Sequence, residues 1–245
     1  MKLTVLGKYG PFAPANGASS GYLVSHKGTD ILLDCGSGVL SRLQNYCPLE
    51  QLCAVAISHF HSDHVADLAL LRYAIAAIKA HGGWDRQPLW VFAPFLPDEE
   101  FAALQQDENL RVISMYDGAM GKLPFVTLKF HEMTHPIQSF AIEARADDGK
   151  VLFYTGDTNM NGRLAARCKD ADVLLCDAGL LQADRGETPP HLTALEAGMI
   201  AKDACVKKLL LTHIYPRYDE KAVLKEAQSY CDGAQVAREL EEIRI

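Results

Sequence analysis

The chain lacks several features that would mark particular classes of protein. No apolar run reaches transmembrane length, and the seven cysteines include no Cys-x-x-Cys pair. A Lys/Arg-rich stretch is also missing, and the formal net charge is −7 at pH 7. These absences argue against a membrane-spanning protein, a cysteine-rich structural zinc site and an extended basic surface that would bind nucleic acid.

What remains is typical of a globular protein of 245 residues, with 49% hydrophobic and 22% charged residues. Several cysteines lie within apolar runs. This position is typical of buried cysteines that stay reduced and pack as small hydrophobic residues, as in proteins of a reducing compartment. Residues 2–7 alternate as a strand, so the amino terminus does not resemble a signal peptide. We therefore expect a cytoplasmic protein without a membrane partner.

The most informative stretch is His59-Phe-His-Ser-Asp-His64, which carries three imidazoles and a carboxylate. It follows an apolar run and precedes a helical pattern. Successive side chains of an extended backbone point to opposite faces, so His59 and His61 project to the same side. Asp63 and His64 fall where the chain turns into the helix, and they can face the same point. Incidental histidines near a turn do not explain this spacing, which predicts a metal site.

A divalent metal needs more ligands than this stretch offers, and three further residues stand at predicted strand ends. They are His135, Asp157 and His213. Gly156 lets the backbone turn sharply before Asp157. Each of the three has an alternative interpretation as a helix cap or an incidental histidine. A polar residue that closes a buried strand is nevertheless a common position for function.

The segment His131-Glu-Met-Thr-His135 matches the His-Glu-x-x-His signature of zinc proteases. That signature requires a helix, so that both histidines share one face. Residues 125–130 alternate as a strand instead, and Pro136 disfavours helical backbone angles at His135. We therefore reject a protease site, and we predict that His131 and Glu132 are exposed or lie next to the metal ligands.

Strand patterns dominate both halves of the chain, with helical patterns between and after them. The patterns predict a helix over 65–80, an edge strand over 88–93, turn residues over 116–122 and a closing strand near 235–245. No repeat, low-complexity segment or linker interrupts the chain. We expect one domain over residues 1–245, a sandwich of sheets with helices on the outside.

The order of these motifs resembles that of the metallo-β-lactamase superfamily. The resemblance rests on the His-x-His-x-Asp-His run, a later lone His, a Gly-Asp strand end and a last His after a strand, and it covers nearly the whole chain. It implies an α+β fold, an αββα sandwich of two mixed β-sheets flanked by helices, with two metals at one edge.

The resemblance also implies a set of ligands. These are His59, His61 and His135 for the first metal, Asp63, His64 and His213 for the second, and Asp157 as the bridge between them. Histidine-rich ligation with carboxylates favours zinc, is compatible with manganese or iron, and disfavours magnesium or calcium.

The charge of such a centre indicates its chemistry. Two divalent ions carry four positive charges, of which Asp63, Asp157 and a bridging hydroxide would remove three. One positive charge would then face an open cleft, which suits an anionic phosphodiester. Metal lowers the pKa of bound water to about 7, and paired metals can clamp an in-line displacement at phosphorus. We predict a phosphodiesterase that attacks with metal-bound hydroxide, although a carbonyl substrate could also be polarised.

A segment that contains His191 narrows the prediction. Pro189-Pro-His-Leu-Thr193 lies between Asp157 and His213, and it resembles a His-x-Thr segment of the ribonuclease Z group. In that group the histidine stabilises the transition state or protonates the leaving oxygen, so the resemblance implies that His191 is the general acid. Asp63 would orient or deprotonate the water. The alternative is that His191 only begins a helix.

One feature of the ribonuclease Z group is missing. Its long arm, which clamps transfer RNA, would be inserted between His135 and Asp157, where predicted hairpin strands use most of positions 136–156. The acidic chain also offers few contacts that would neutralise phosphates. A small or cyclic phosphodiester is therefore favoured over nucleic acid as the substrate. A homodimer is implied by the resemblance alone.

Three other functions remain open. They are a ribonuclease Z-like RNA endonuclease, a hydrolase of lactones, thioesters or sulfate esters, and a non-enzymatic metal-binding protein. The last is disfavoured, because structural zinc sites are usually closed and cysteine-rich, whereas these ligands are His and Asp.

Overall fold

A computed structural model describes residues 1–245 and contains two seven-stranded β-sheets. The strands are β1 (Lys2–Gly7), β2 (Gly21–His26), β3 (Thr29–Leu33), β4 (Leu52–Ala56), β5 (Leu89–Ala93), β6 (Leu110–Ser114), β7 (Met120–Lys122), β8 (Val126–Met133), β9 (Ser139–Ala146), β10 (Val151–Tyr154), β11 (Val173–Asp177), β12 (Leu209–Thr212), β13 (Gln235–Val236) and β14 (Glu242–Arg244). The first sheet has the order β14-β1-β2-β3-β4-β5-β6, and the second has the order β13-β12-β11-β10-β9-β8-β7.

Both sheets are mixed in the same way. In the first sheet, β14, β1, β2 and β3 pair antiparallel, whereas β3 to β6 pair parallel. In the second sheet, β7 to β10 pair antiparallel and β10 to β13 pair parallel. Parallel neighbours need crossover connections, which place helices on the outer face of each sheet.

The helices cover those outer faces. They are α1 (Val39–Leu43), α2 (Ser62–Val65), α3 (Leu68–Ala80), α4 (Asp98–Gln105), α5 (Leu164–Arg167), α6 (Ala194–Asp203) and α7 (Glu220–Gln228). Helix α6 begins with a capping box, in which the Thr193 side chain accepts from the Glu196 N–H and the Glu196 carboxylate accepts from the Thr193 N–H. None of the helices is both long and apolar enough to cross a membrane.

The two sheets face each other across a shared core. Val5 of β1 and Phe130 of β8 are almost fully buried in it, on opposite sides. The Tyr22 hydroxyl group is 2.6 Å from Oγ1 of Thr212, and the Tyr22 and Tyr154 rings are 4.9 Å apart, so polar and aromatic contacts also join the sheets. Two further apolar clusters lie beneath the helices. The four layers confirm the predicted αββα sandwich.

The structure corrects two predictions in the first sheet. Strand β5 is not an edge strand, because it pairs with both β4 and β6, and Pro88 precedes the strand without removing a ladder donor. The predicted helix over 65–80 is divided into α2 and α3. The division occurs because the Asp67 N–H donates to the carbonyl oxygen of Cys35 at 3.0 Å instead of continuing the helical ladder.

Two more corrections concern short strands. The predicted turn over 116–122 contains β7, whose Gly121 packs so closely on Phe92 that a Cβ would lie 2.5 Å from the ring. The single closing strand predicted near 235–245 is two strands, β13 and β14, in different sheets.

Among the cysteines predicted to be buried, Cys205 is exposed, and all seven are free.

Candidate metal centre

The carboxyl ends of strands from both sheets meet at one rim of the sandwich. Strands β3 and β4 run parallel in the first sheet, and β10, β11 and β12 run parallel in the second. The residues that follow parallel strands lie at the same edge of a sheet, which is the usual position of a site in such folds. The segments after β4, β8, β10 and β12 carry the residues predicted from the sequence.

The structure brings all of these residues together. Their ligand atoms form groups within which every pair is closer than 4.8 Å. One group is His59, His61, His135 and Asp157, a second is Asp63, His64 and His213, and a third is Asp157, His191 and His213. The first two groups agree with the two ligand sets that the resemblance implied. Their role as metal ligands remains a prediction.

Three imidazole nitrogens converge in the first group. Nδ1 of His61 lies 3.0 Å from Nε2 of His59 and 3.1 Å from Nε2 of His135. Nitrogen ligands of a tetrahedral zinc ion, with bonds of about 2.0–2.1 Å, are separated by about 3.3 Å. The observed separations therefore fit one ion held by three histidines.

Asp157 connects the first group to the second. Its Oδ2 lies 3.4 Å from Nε2 of His59 and 3.3 Å from Nε2 of His213, while its Oδ1 lies 3.3 Å from Nε2 of His64. Oδ2 of Asp63 is 3.1 Å from the same His213 nitrogen. A single carboxylate thus faces histidines of both groups, as a bridging ligand would.

The second ring nitrogen of several histidines is held by the protein. The pairs are Nδ1 of His64 with Oδ2 of Asp34 at 2.7 Å, Nδ1 of His59 with Oγ of Ser58 at 3.0 Å, and Nδ1 of His135 with the carbonyl oxygen of Pro190 at 3.0 Å. Contacts of this kind fix the tautomer and the orientation of metal-binding histidines.

Asp34 is a site residue that the sequence analysis missed. It is fully buried, and its carboxylate accepts hydrogen bonds from the Ser58 N–H and hydroxyl groups at 2.6 and 2.8 Å and from the Tyr154 hydroxyl at 2.7 Å. Its position directly after β3 is the same strand-end signal that singled out Asp157. Asp34 therefore anchors His64 from behind the centre.

Asp177 is a second residue that was missed, and it holds His191. Nδ1 of His191 donates to Oδ2 of Asp177 at 3.1 Å, and Asp177 also accepts from the N–H groups of Thr158 and Gly179. This arrangement leaves Nε2 of His191 available to a substrate. Burial opposes the charged imidazolium, but the Asp177 carboxylate outweighs burial and raises the pKa of His191 to about 9.

Two buried polar atoms of the centre fit a metal. Nε2 of His64 and Oδ1 of Asp157 are buried without a hydrogen-bond partner, although unpaired buried polar atoms are rare. Burial raises the pKa of Asp157, but His213, His64 and His59 together lower it well below its usual value, so the group is a carboxylate. Imidazole nitrogens and carboxylate oxygens form a donor set suited to divalent transition metals.

The centre opens into a polar cleft of about 390 Å³. The cleft is lined by Pro11, His61, Ser62, Asp63, His135, Asp157, Pro190, His191 and His213. No lining residue other than the two prolines has a hydrocarbon side chain. A larger groove of about 500 Å³ beside α7 and β13 contains none of these residues, so the polar cleft is the candidate active site.

The His-Glu-x-x-His match does not form a helical zinc-protease site, as predicted. Its first three residues continue β8, so its two histidines are not on a helix. His131, which we predicted to be exposed or next to the ligands, is instead buried. Its Nε2 is 3.1 Å from Oε2 of Glu143 and its ring is 5.4 Å from that of Phe153, because β8 extends further than the sequence pattern indicated.

An αββα sandwich with a His- and Asp-rich centre at its rim is the arrangement of metal-dependent hydrolases with the metallo-β-lactamase fold. The model of the beta-lactamase superfamily domain matches residues 29–214, which is most of the chain. The protein therefore belongs to the beta-lactamase superfamily.

Individual relatives agree with this assignment. The probable metallo-hydrolase YhfI of Bacillus subtilis is 35% identical, over 95% of both chains. The crystal structure of this metallo-beta-lactamase fold protein superimposes with a TM-score of 0.92 at 31% identity, over 99% of each chain. The short form of human tRNase Z shares the fold, with a TM-score of 0.77 at 21% identity over 100% of this chain and 99% of that protein. A diphosphatase of the PhnP family also shares it, with a TM-score of 0.77 at 15% identity over 100% of this chain and 97% of that protein.

Proposed function

We propose that this protein is a binuclear metal-dependent phosphodiesterase, most consistent with zinc, that hydrolyses small or cyclic phosphodiesters. The observation that carries the proposal is the position of Asp157, whose carboxylate oxygens lie 3.3–3.4 Å from histidine nitrogens of both candidate ligand groups. The His191–Asp177 pair lines the same cleft as these ligands. The proposal therefore rests on two adjacent candidate ligand groups and on a histidine that Asp177 holds beside them.

The residues of the chain have distinct roles in the proposed reaction. When bound, the ions would supply Lewis acidity and lower the pKa of water to about 7. Asp63 orients the attacking water and accepts its proton. Nε2 of His191 donates a proton to the leaving oxygen while Nδ1 remains bonded to Asp177. One P–O bond forms to the water oxygen and one breaks. A linear diester gives a phosphomonoester and an alcohol, whereas a cyclic diester gives a single phosphomonoester that carries the released hydroxyl group.

Two observations favour a small diester over RNA. Positions 136–156 are occupied by β9, β10 and their short connections, so no arm is inserted between His135 and Asp157. The net charge of −7 also provides few cations for a polynucleotide backbone. The structural relatives include a tRNase and a diphosphatase, and both names denote cleavage at phosphorus. These two names support the choice of a phosphate ester as the substrate.

The test combines metal analysis with a substrate screen. Protein loaded with zinc or manganese should contain two ions per chain by plasma mass spectrometry. It should hydrolyse bis(p-nitrophenyl) phosphate and cyclic nucleotides faster than precursor transfer RNA, lactones or aryl sulfates. One ion per chain, or activity confined to lactones or sulfate esters, would refute the proposal. Selective cleavage of precursor transfer RNA would favour the ribonuclease Z alternative.

Replacing His191 tests its role as general acid. His191→Ala should reduce kcat by about 100-fold or more, the usual scale of general acid–base catalysis. The metal content should remain that of the wild type, because the seven proposed ligands are intact. An unchanged kcat would exclude His191 from the mechanism.

We also propose that the physiological partner is a small-molecule phosphodiester and that the protein forms a homodimer. Sedimentation velocity would measure the second point directly. A dimer has twice the chain mass of 26.9 kDa, whereas sedimentation at the mass of one chain would refute dimerisation.

A further inference from the structure

Two aromatic residues lie close in the chain to residues that line the polar cleft. Phe12, which is 46% exposed, directly follows Pro11 of the cleft lining, and Tyr215 lies two positions after His213 of the candidate centre. The two rings contact each other edge to face, with centroids 6.0 Å apart. Because consecutive Cα atoms are about 3.8 Å apart, both residues begin within about 7 Å of the cleft wall.

The backbone fixes the positions of these rings. The loop after β1 and the loop after β12 run side by side through a parallel bridge between Tyr9 and Ile214. The Ile214 N–H donates to the carbonyl oxygen of Lys8 at 2.9 Å, and the Gly10 N–H donates to that of Ile214 at 3.3 Å. The two loops therefore leave the centre in the same direction, and each carries one aromatic residue.

The Tyr215 ring has a second aromatic contact. It packs against the ring of Tyr218 with centroids 5.1 Å apart, and the Tyr218 hydroxyl donates to Oδ2 of Asp184 at 2.7 Å. The aromatic surface is thus in place before any ligand binds. A surface that is already ordered loses little conformational freedom when it binds a ligand.

We infer that Phe12 and Tyr215 form a platform for the base of a nucleotide phosphodiester whose phosphorus lies at the metal centre. This inference rests on the proposed phosphodiesterase function and adds a substrate class to it. The cleft contacts only the charged part of a substrate, because its lining has no hydrocarbon side chain apart from prolines. Affinity for the organic part would therefore come from residues beside the cleft, where the exposed Phe12 ring and the half-buried Tyr215 ring can stack on a heteroaromatic base.

Binding measurements test the platform independently of catalysis. Isothermal titration calorimetry on the metal-loaded protein would compare adenosine 5′-monophosphate with ribose 5-phosphate, the same phosphomonoester without its base. The wild type should bind the nucleotide about tenfold more tightly, in line with the usual strength of base–aromatic stacking. Phe12→Ala and Tyr215→Ala should each remove most of this difference, and Tyr215→Phe should retain it.

The matched control is Phe125→Ala. Phe125 is also an exposed phenylalanine, at 40%, but it precedes β8 at the end remote from His135 and lies beside Lys27. This variant should bind both ligands as the wild type does. Equal affinity of the wild type for the two ligands, including no detectable binding of either, would overturn the inference. So would an equal loss of affinity for both ligands in Phe12→Ala.

Kinetics separate this inference from the proposed function. The substrates are adenosine 3′,5′-cyclic monophosphate and the 3′,5′-cyclic phosphate of 1-deoxyribose, the same cyclic diester without its base. Phe12→Ala should lower the ratio of kcat/KM between them about tenfold, mainly through KM. If the wild type hydrolyses neither substrate, the proposed hydrolysis of cyclic phosphodiesters is refuted. The calorimetric comparison then still shows whether Phe12 and Tyr215 bind the base. Hydrolysis of both at equal kcat/KM would support the phosphodiesterase and refute the platform.

Discussion

Single residues behind the centre determine how its histidines are oriented. Asp34 accepts four hydrogen bonds, from the N–H and hydroxyl of Ser58, the hydroxyl of Tyr154 and Nδ1 of His64. Its backbone has a φ of 55°, a left-handed conformation that Asp and Asn tolerate better than most residues. The charge of Asp34 therefore holds the His64 ring through a hydrogen bond, and its backbone conformation places the carboxylate where it can do so.

Replacing Asp34 with Asn should weaken metal binding. The amide keeps the size and the backbone preference, but it removes the negative charge that supports the His64 ring. Loss of such an outer contact typically lowers metal affinity by about 10–100-fold. Competition with a chromogenic chelator would measure the dissociation constant. Asp30→Asn, at the opposite end of β3, is the control, and equal affinity in both variants would contradict the prediction.

Gly10 is a second residue on which the centre depends. A Cβ at this position would lie 1.9 Å from Nε2 of His213, so a methyl group and the imidazole cannot both occupy their present positions. Gly10→Ala should therefore displace His213 and reduce the number of ions retained after dialysis. Gly162→Ala provides the control, because no atom lies within 4 Å of a Cβ there. Full retention of metal by Gly10→Ala would show that the imidazole can move without consequence.

At the scale of secondary structure, the helix after His191 depends on its cap. Thr193→Ala removes one half of the capping box of α6 and also the hydrogen bond from the Thr193 hydroxyl to Oε1 of Gln182. The free energy of unfolding should fall by about 1 kcal/mol, within the usual range of about 0.5–2 kcal/mol for such caps. Urea denaturation would measure the change. Thr193→Ser should restore most of it, and an unchanged midpoint in Thr193→Ala would be inconsistent with a stabilising cap.

Local patterns predict the longer elements and much of the site. Alternation identifies β8, in which buried and half-buried residues alternate over the first half of the strand, and the strand-end rule locates His135, Asp157 and His213. Strands β13 and β14 are too short to show a period, and their partners, rather than their own residues, decide which sheet they join. The same limit explains why their separation into different sheets was not predicted.

The missed site residues have a common cause. Asp34 and Asp177 stand at strand ends like Asp157, but their roles depend on which histidine lies opposite them in the folded chain. The pairing of Phe12 with Tyr215 depends on a bridge between loops at opposite ends of the sequence. Contacts of this kind are set by the packing of the sheets, which no local pattern contains.

At the scale of the whole molecule, the candidate centre joins the two sheets. His59, His61, Asp63 and His64 follow a strand of the first sheet, whereas His135, Asp157 and His213 follow strands of the second. Ions bound here would be contacted from both sides of the sandwich. Because the unfolded chain does not assemble this set of ligands, metal binding should stabilise the folded state.

Removal of the metal should lower the melting temperature. A ligand at 1,000 times its dissociation constant stabilises the folded state by about 4 kcal/mol. For a chain of this size, that stabilisation corresponds to about 10 °C. Circular dichroism melts before and after treatment with a chelator would measure the shift, and added zinc should reverse it. Identical melting temperatures with and without metal would show that the centre does not hold the sheets together.

The sequence positions of the ligands also imply an order of maturation during biosynthesis. The group formed by His59, His61, His135 and Asp157 is present once the ribosome has released residue 157, whereas the group of Asp63 and His64 lacks its last member until His213 emerges. On the proposed assignment of ligands, a nascent chain would hold the complete first group while the second is still being translated. If both groups bind ions, the two halves of the centre would be loaded in sequence, the group with His213 after the group with Asp157.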